Sequence, residues 1–514
     1  METRYFLALD YGTQSVRAVL FDQFGRILDK SQLAVEPFIK NQQGAAEQLP
    51  EYCYSKLVEV VKELLKKTTI AAAKITCVSL TTLRASSVLL DENAEPISPI
   101  YMWSDTRLAT NHKLQPMSWH FRLAFKLACM SKRIRYLRRA AKVNYLAECQ
   151  PDLLKSADKV ALFSGYLLHK ITGKLLDSVA SQVAYLPFEY KTKSWAAPSS
   201  WRWQALACTQ QQMMPLVPPA EDIGSISVQF AQDTGLSETT MVATAGGDKA
   251  CEMFATGSGQ QGIANISLGS AASISIGLPK YQESFRYMPS FPSLAENEFM
   301  NEIQLERGFW LLTWLIDEFG HEEKMRAQQQ GISTEAYICQ QIQHIEPGSD
   351  GLLLSPTWSQ GVIFPGPEAR GSIIGFTPKH SRLHMFRAAI EGILFTLKAA
   401  LLRLEKKHNF PVKIVRVSGG GSQSEQILQM AADIFERPVE TIDVCEASAL
   451  GAAMCAAVAT KTHANLSQAR EAMMKVDKRF YPRADMSKKY QRVFKQHARL
   501  YDKVKPIFKE IGEE

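Results

Sequence analysis

Cysteine is scarce and scattered. The nine residues in 514 form no Cys-x-x-Cys pair and are odd in number, which argues against a disulfide framework or a zinc site and for reduced thiols in a cytoplasmic protein. No apolar stretch approaches the roughly 20 residues that cross a bilayer, so no membrane partner is expected. Met1–Arg4 leads straight into an apolar run, leaving no room there for a signal peptide. Low-complexity sequence is absent too, and only Lys509–Glu514 reads as a frayed end.

What is present is globular: 46% of residues are hydrophobic and 22% charged. A length of 514 exceeds a single core, and about 150 residues per domain suggests three units, or two large domains carrying inserted pieces. The formal net charge is +7, much of it between Arg122 and Lys142, with Lys132, Arg133, Arg135, Arg138 and Arg139. Nucleic-acid binding would want interleaved aromatics, and only Tyr136 is suitably placed. A solvated helix face, or a contact in a homodimer, accounts for this segment better than nucleic acid does.

Residues 6–22 carry the first chemical signal. An apolar run ends on Asp10, Gly12-Thr13-Gln14 make a tight turn, and a second run, Val16–Phe21, doubles back. Apolar runs on both sides of a glycine turn predict a hairpin. Such a turn can offer backbone N–H groups to an anion, because Gly12 carries no Cβ. Asp10, at the strand end, is placed to hold Mg²⁺ directly or through water. An ordinary surface hairpin would share this pattern, so the rest of the chain has to decide.

Three further glycine elements follow. Residues 242–257 run from an apolar strand into Gly246-Gly247-Asp248. Residues 263–277 hold a second strand–Gly-Ser–strand hairpin at Gly269-Ser270. Residues 415–423 open a strand into Gly419-Gly420-Gly421-Ser422, ahead of helical Gln426–Phe435. Strand patterns are expected at 5–10, 16–22, 26–35, 75–80, 86–91, 263–268 and 272–277. Helices are expected at about 51–67, 308–319 and 382–407, with helical material over 105–175 and irregular chain over 186–224. In the first helix Leu57, Val58, Val61 and Leu64 fall on one face. The second half repeats the plan of the first, which predicts an internal duplication around a cleft. The division expected is 1–252, 253–490 and a helical tail at 491–514.

These elements, in this order, resemble the FGGY carbohydrate kinases, whose branches include glycerol, xylulose and autoinducer-2 kinases. The resemblance spans nearly the whole chain. It includes Trp103-x-Asp105-x-Arg107, Ala369-Arg370-Gly371, Arg387–Gly392 and Glu446–Ala452. It implies an α/β fold of two ribonuclease H-like domains of the actin and hexokinase type. It also implies an ATP- and Mg²⁺-dependent enzyme that phosphorylates a small sugar, ketose or polyol. Phosphoryl transfer suits such parts, because its rate comes from positioning and charge neutralisation.

By that resemblance Gly12, Thr13 and Gln14 cradle the γ-phosphoryl group, Asp10 acts through Mg²⁺, and Arg17 steadies the transferring charge. A solvent-facing arginine at a strand edge is the plainer reading of Arg17. Gly269 and Ser270 would meet the nucleotide phosphates, with Gly419, Gly420, Gly421 and Ser422 against adenosine. Asp248 would be the general base, although it is also suited to capping the helix that follows. Arg84 and Trp103 resemble acceptor-pocket residues, and Lys249 stands where many relatives carry an amide. Arg84 matches the arginine of glycerol kinases, but Ala85 replaces their glutamate. Leu83-Arg84 replaces the Met-His pair of xylulose kinases. Arg84 and Lys249 together suggest a sugar-acid acceptor. Arg84 alone fits a neutral one, with Lys249 turned outward. A non-catalytic nucleotide-binding regulator of this fold remains an alternative, whereas a chaperone ATPase would need a peptide-binding domain for which no residues remain.

Overall fold

The computed structural model describes residues 3–110, 114, 116–285, 288–359 and 365–512. Two mixed sheets dominate it. In the first, β1 (Tyr5–Tyr11), β2 (Ser15–Asp22), β3 (Ile27–Ala34), β4 (Ile75–Thr82), β5 (Asp222–Ser225) and β6 (Met241–Ala243) lie in the order β5-β6-β4-β1-β2-β3. The pairs β1–β2 and β2–β3 are antiparallel, and β1–β4 and β4–β6 are parallel.

The second sheet holds β7 (Ile263–Leu268), β8 (Ala272–Leu278), β9 (Phe291–Pro292), β10 (Phe299–Leu305), β11 (Ile414–Ser418), β12 (Val439–Ile442) and β13 (Val476–Phe480). Their order is β9-β10-β8-β7-β11-β12-β13. Here β7–β8 and β8–β10 are antiparallel, while β7–β11 and β11–β12 are parallel. The five-strand core of one sheet therefore repeats in the other, and the expected duplication is realised as two like units.

Position within the sheet explains the strand patterns. Central β1 is covered on both faces and reads as an apolar run as far as Asp10, whereas edge strand β3 mixes Asp29, Lys30 and Gln32 among its apolar residues. Helix α1 (Pro50–Lys67) starts with proline in its first turn, buries Leu57, Val58, Val61 and Leu64 against the first sheet, and ends on Lys66 and Lys67. Two helices sit between the units, α2 (Asp248–Ala255) and α3 (Ala447–Ala459). Their apolar residues form one core with Phe6, Ala8 and Cys77 of the first sheet. They cross closely at Gly451, where a Cβ would lie 2.3 Å from the carbonyl oxygen of Cys251.

Two stretches differ from expectation. Residues 105–175 are not helical throughout. Among the described residues the first helix there begins at Trp119, and Lys159–Leu162 is a strand paired with Ser87–Leu90 in a separate small sheet. The apolar run Val160-Ala161-Leu162 suits that buried strand as well as it suits a helix. The irregular stretch 186–224 does contain short strands and a helical turn, Trp201–Ala205. The C-terminal helix spans Ala484–Ile511, so it runs into the expected frayed end; Glu513 and Glu514, like Met1 and Glu2, lie outside the described residues. All nine cysteines are unpaired, and among the described residues no helix is long and apolar enough to cross a membrane.

Candidate active site

The β1–β2 hairpin places Asp10 directly opposite Arg17. Arg17 Nη1 lies 3.2 Å from Asp10 Oδ2, and Arg17 Nε lies 3.4 Å from Glu446, the residue just before α3. Lys30 Nζ holds the other Glu446 oxygen at 2.8 Å. Arg17 is thus tied to both units and does not face solvent as a plain edge residue. Burial pushes the Asp10 carboxyl up to about 7, with Arg17 opposing and Asp248 and Glu446 adding to the rise. A buried carboxylate held so weakly in its charged form gains from a cation, and an all-oxygen donor set suits Mg²⁺. Among the described residues no cluster of three or more acidic, histidine or cysteine ligands exists, so Mg²⁺ here would take Asp10, phosphate oxygens and water.

The turn between the two strands is braced from outside. Gly12 N–H donates to the Ser15 carbonyl at 3.0 Å, and Trp103 Nε1 donates to Thr13 Oγ1 at 3.1 Å. Trp103 therefore touches the β1–β2 turn, a contact that its place in a sequence motif did not reveal. Its neighbours explain why the motif is polar. Asp105 accepts from Arg107 and from Lys142 Nζ at 2.6 Å, and Arg107 reaches Glu47 at 2.6 Å. Lys142 of the basic segment is accordingly a strut for the loop that carries Trp103.

Asp248 opens α2, where Gly247 bridges to Thr82 at the end of β4. Its side chain is about a third exposed and lies 3.6 Å from Arg84 Nε, while its Oδ1 accepts the Lys249 N–H at 2.7 Å. Burial raises the Asp248 carboxyl above its ordinary value, with Arg84 and Lys249 pulling the other way. Arg84 Nη1 donates to Glu302 on β10 at 3.0 Å. Gly247 lets Arg84 pack close, since a Cβ there would lie 2.8 Å from Arg84 Cγ and push the side chain aside.

Lys249 neither turns outward nor points freely at an acceptor. Its ammonium is held at 2.6 Å by Glu252 and at 2.6 Å by Ser267 Oγ. Burial alone would raise the Glu252 carboxyl, but Lys249 and the hydroxyls of Ser418 and Ser267 outweigh it and keep it below its usual range. Ser418 Oγ donates to Glu252 at 2.7 Å. This network ties α2 to the last residues of β7 and β11, each immediately ahead of one glycine loop.

Those two loops lie side by side. A Cβ on Gly419, whose φ is +84°, would sit 2.8 Å from the Leu268 carbonyl group and 3.1 Å from Gly269 N. Gly420 faces open space, Gly421 packs against Leu268 and Phe309, and Ser422 Oγ donates to the Gly419 carbonyl. The carbonyls of Gly269 and Ser270 accept from Phe309 and Gly308, at the start of helix Phe309–Phe319. The β1–β2 hairpin, Asp248 and both glycine loops thus converge where the two units meet.

Glu252, Glu302, Ser267 and Ser418 carried no role in the sequence reading, and Glu446 appeared there only as part of a motif. Glu252 stands one helical turn after Asp248 and was findable by spacing. Glu302 had one signal, an acid in the apolar strand Phe-Met-Asn-Glu-Ile-Gln-Leu.

Residues 5–255 match the FGGY family of carbohydrate kinases, N-terminal domain, and residues 268–460 match its C-terminal domain. A xylulose kinase of Bacillus subtilis is 26% identical over 98% of this chain and 98% of its own. A gluconokinase of the same organism is 25% identical over 89% of this chain and 88% of its own. Among solved structures, gluconate kinase from Lactobacillus acidophilus superposes with a TM-score of 0.81 at 19% identity, covering 99% of this chain and all of that one. Plasmodium falciparum glycerol kinase with ADP gives 0.76 at 17% identity, covering 96% and 98%.

Proposed function

The chain belongs to the FGGY family of carbohydrate kinases, and from that premise we propose that it moves the γ-phosphoryl group of ATP to a hydroxyl of a small sugar, ketose or polyol, with Asp248 as general base. The observation that carries this is the place of Asp248: partly open, at the start of α2, between the phosphate hairpin and the nucleotide loops. A sugar hydroxyl is a weak nucleophile, and a carboxylate within hydrogen-bond reach takes its proton as the phosphoryl group departs from ADP. Burial raises the Asp248 carboxyl above the ordinary aspartate range, which makes its carboxylate a stronger proton acceptor than an exposed one.

The other roles follow from position. Gly12, Thr13 and Gln14 receive the γ-phosphoryl group, with Trp103 steadying Thr13. Gly269 and Ser270 meet the remaining phosphates, and Gly419–Ser422 meet adenosine. Asp10 would hold Mg²⁺, which when bound neutralises phosphate charge. Arg17, already paired with Asp10, balances charge on the hairpin side. Arg84 positions the acceptor beside Asp248.

A sugar-acid acceptor is the second reading, favoured by the gluconokinase relative and by the ability of guanidinium to bind carboxylate. A coupled assay of ADP release across polyols, ketoses and sugar acids tests the proposal. Acceptor-dependent ADP formation is expected, and ATP turnover indifferent to every acceptor would count against it.

A further inference from the structure

Arg84, the guanidinium beside the general base, is already engaged. It has Glu302 at 3.0 Å and Asp248 at 3.6 Å, and its side chain is only 12% exposed. The other cation nearby, Lys249, is held by Glu252. The charged groups facing one another here are therefore two cations, Arg84 and Lys249, and three carboxylates, Asp248, Glu252 and Glu302. Their influence overlaps, since Arg84 feels Glu252 and Lys249 feels both Asp248 and Glu302. Two against three leaves the cluster at net −1. Glu302 is nearly buried, and among the described residues its Oε1 has no hydrogen-bond partner, so Arg84 is the one group holding its charge.

From this we infer that Glu302 is a specificity-determining residue, which acts through Arg84 to make the site select neutral polyhydroxyl acceptors and reject sugar acids. The inference rests on the kinase reading and sharpens it. A bound sugar acid would bring a fourth carboxylate to a cluster with no cation to spare. To bind there it would have to share Arg84 with Glu302, setting a second carboxylate against a guanidinium whose charge a buried one already balances. A neutral hydroxyl asks for no such exchange. It can accept from Arg84, donate to Asp248, and leave the Glu302 pair intact. The crowding of positive charge seen in the sequence is balanced by Asp248 and Glu252 of α2, and reverses sign once the second sheet supplies Glu302.

Glu302→Gln removes one charge while its amide oxygen still accepts from Arg84. One charge a few ångströms away shifts affinity by roughly tenfold or more at an effective dielectric of about 20. The test compares wild type, Glu302→Gln and Glu302→Asp on D-xylulose, glycerol and D-gluconate. Turnover is measured, together with binding by calorimetry in the presence of ADP. Wild type should favour the neutral compounds. Glu302→Gln should narrow the neutral-to-acid ratio at least about tenfold, through KM for gluconate and not through kcat, and Glu302→Asp should keep the wild-type preference. A wild-type preference for gluconate overturns the inference. So does an equal effect of Glu302→Gln on both classes, or identical binding by all three proteins. If the binding preferences behave as expected and wild type forms no ADP with any acceptor, the selectivity stands and the kinase reading falls.

Discussion

Asp248→Asn isolates proton transfer with little structural cost. The amide is close in size to the carboxylate, its oxygen can still accept the Lys249 N–H that Asp248 Oδ1 takes at 2.7 Å, and it remains beside Arg84 Nε. What disappears is the proton acceptor and one of three negative charges in the cluster. General-base catalysis contributes about 10²–10⁴ in rate, or roughly 3–5 kcal/mol of barrier. A kcat loss of that size is expected in the coupled ADP-release assay. ADP affinity, measured by calorimetry, should change less than about twofold, because Gly12–Gln14, Gly269–Ser270 and Gly419–Ser422 are untouched. The pH profile adds a second check. Asp248 must be ionised to act, and burial raises its pKa, so wild-type kcat/KM should fall on the acid side at a pH above the ordinary aspartate range. Asp248→Asn should lose that limb. Turnover within about threefold of wild type, or an unchanged acid limb, would refute the assignment of Asp248 as base.

Other outcomes can be checked separately. Gly420→Ala meets open space, so its melting temperature should match wild type while KM for ATP rises if the loop contacts adenosine; Gly419→Ala, with φ +84° and backbone at 2.8 Å, should lower the melting temperature as well. Burial raises the Asp177 carboxyl to about 7 against the hydrogen bonds of Ser164, Gln182 and Ser178. Its stabilising contribution is therefore complete below about pH 4 and lost as pH climbs through 7, and Asp177→Asn should flatten that decline in denaturant titrations. Trp103→Phe removes the bond to Thr13 and should reduce kcat several-fold without unfolding, read by turnover and circular dichroism. Contacts on both units imply closure on ligands, so scattering with ADP and a productive acceptor should show a smaller radius of gyration than the free protein.

Local sequence determined the parts of this protein that answer to short-range rules. Runs such as Phe6–Asp10 and Val16–Phe21 around Gly12 specify a hairpin wherever they fold, and the face of Leu57, Val58, Val61 and Leu64 specifies α1. The glycine loops and Asp248 were legible for the same reason, since a close backbone approach or a carboxylate after a strand leaves a mark within a few residues. The strand Lys159–Leu162 was not, because three apolar residues fit a buried helix or strand equally, and only pairing with Ser87–Leu90 chose between them. Charge at the acceptor was decided still further from the sequence. Arg84 and Glu302 are 218 residues apart, and Lys249 meets Ser267 only because α2 packs on the second sheet. Electrostatic energy depends on distance through space and on burial, so whether an arginine is free or already neutralised becomes a property of the chain only once the two units have come together.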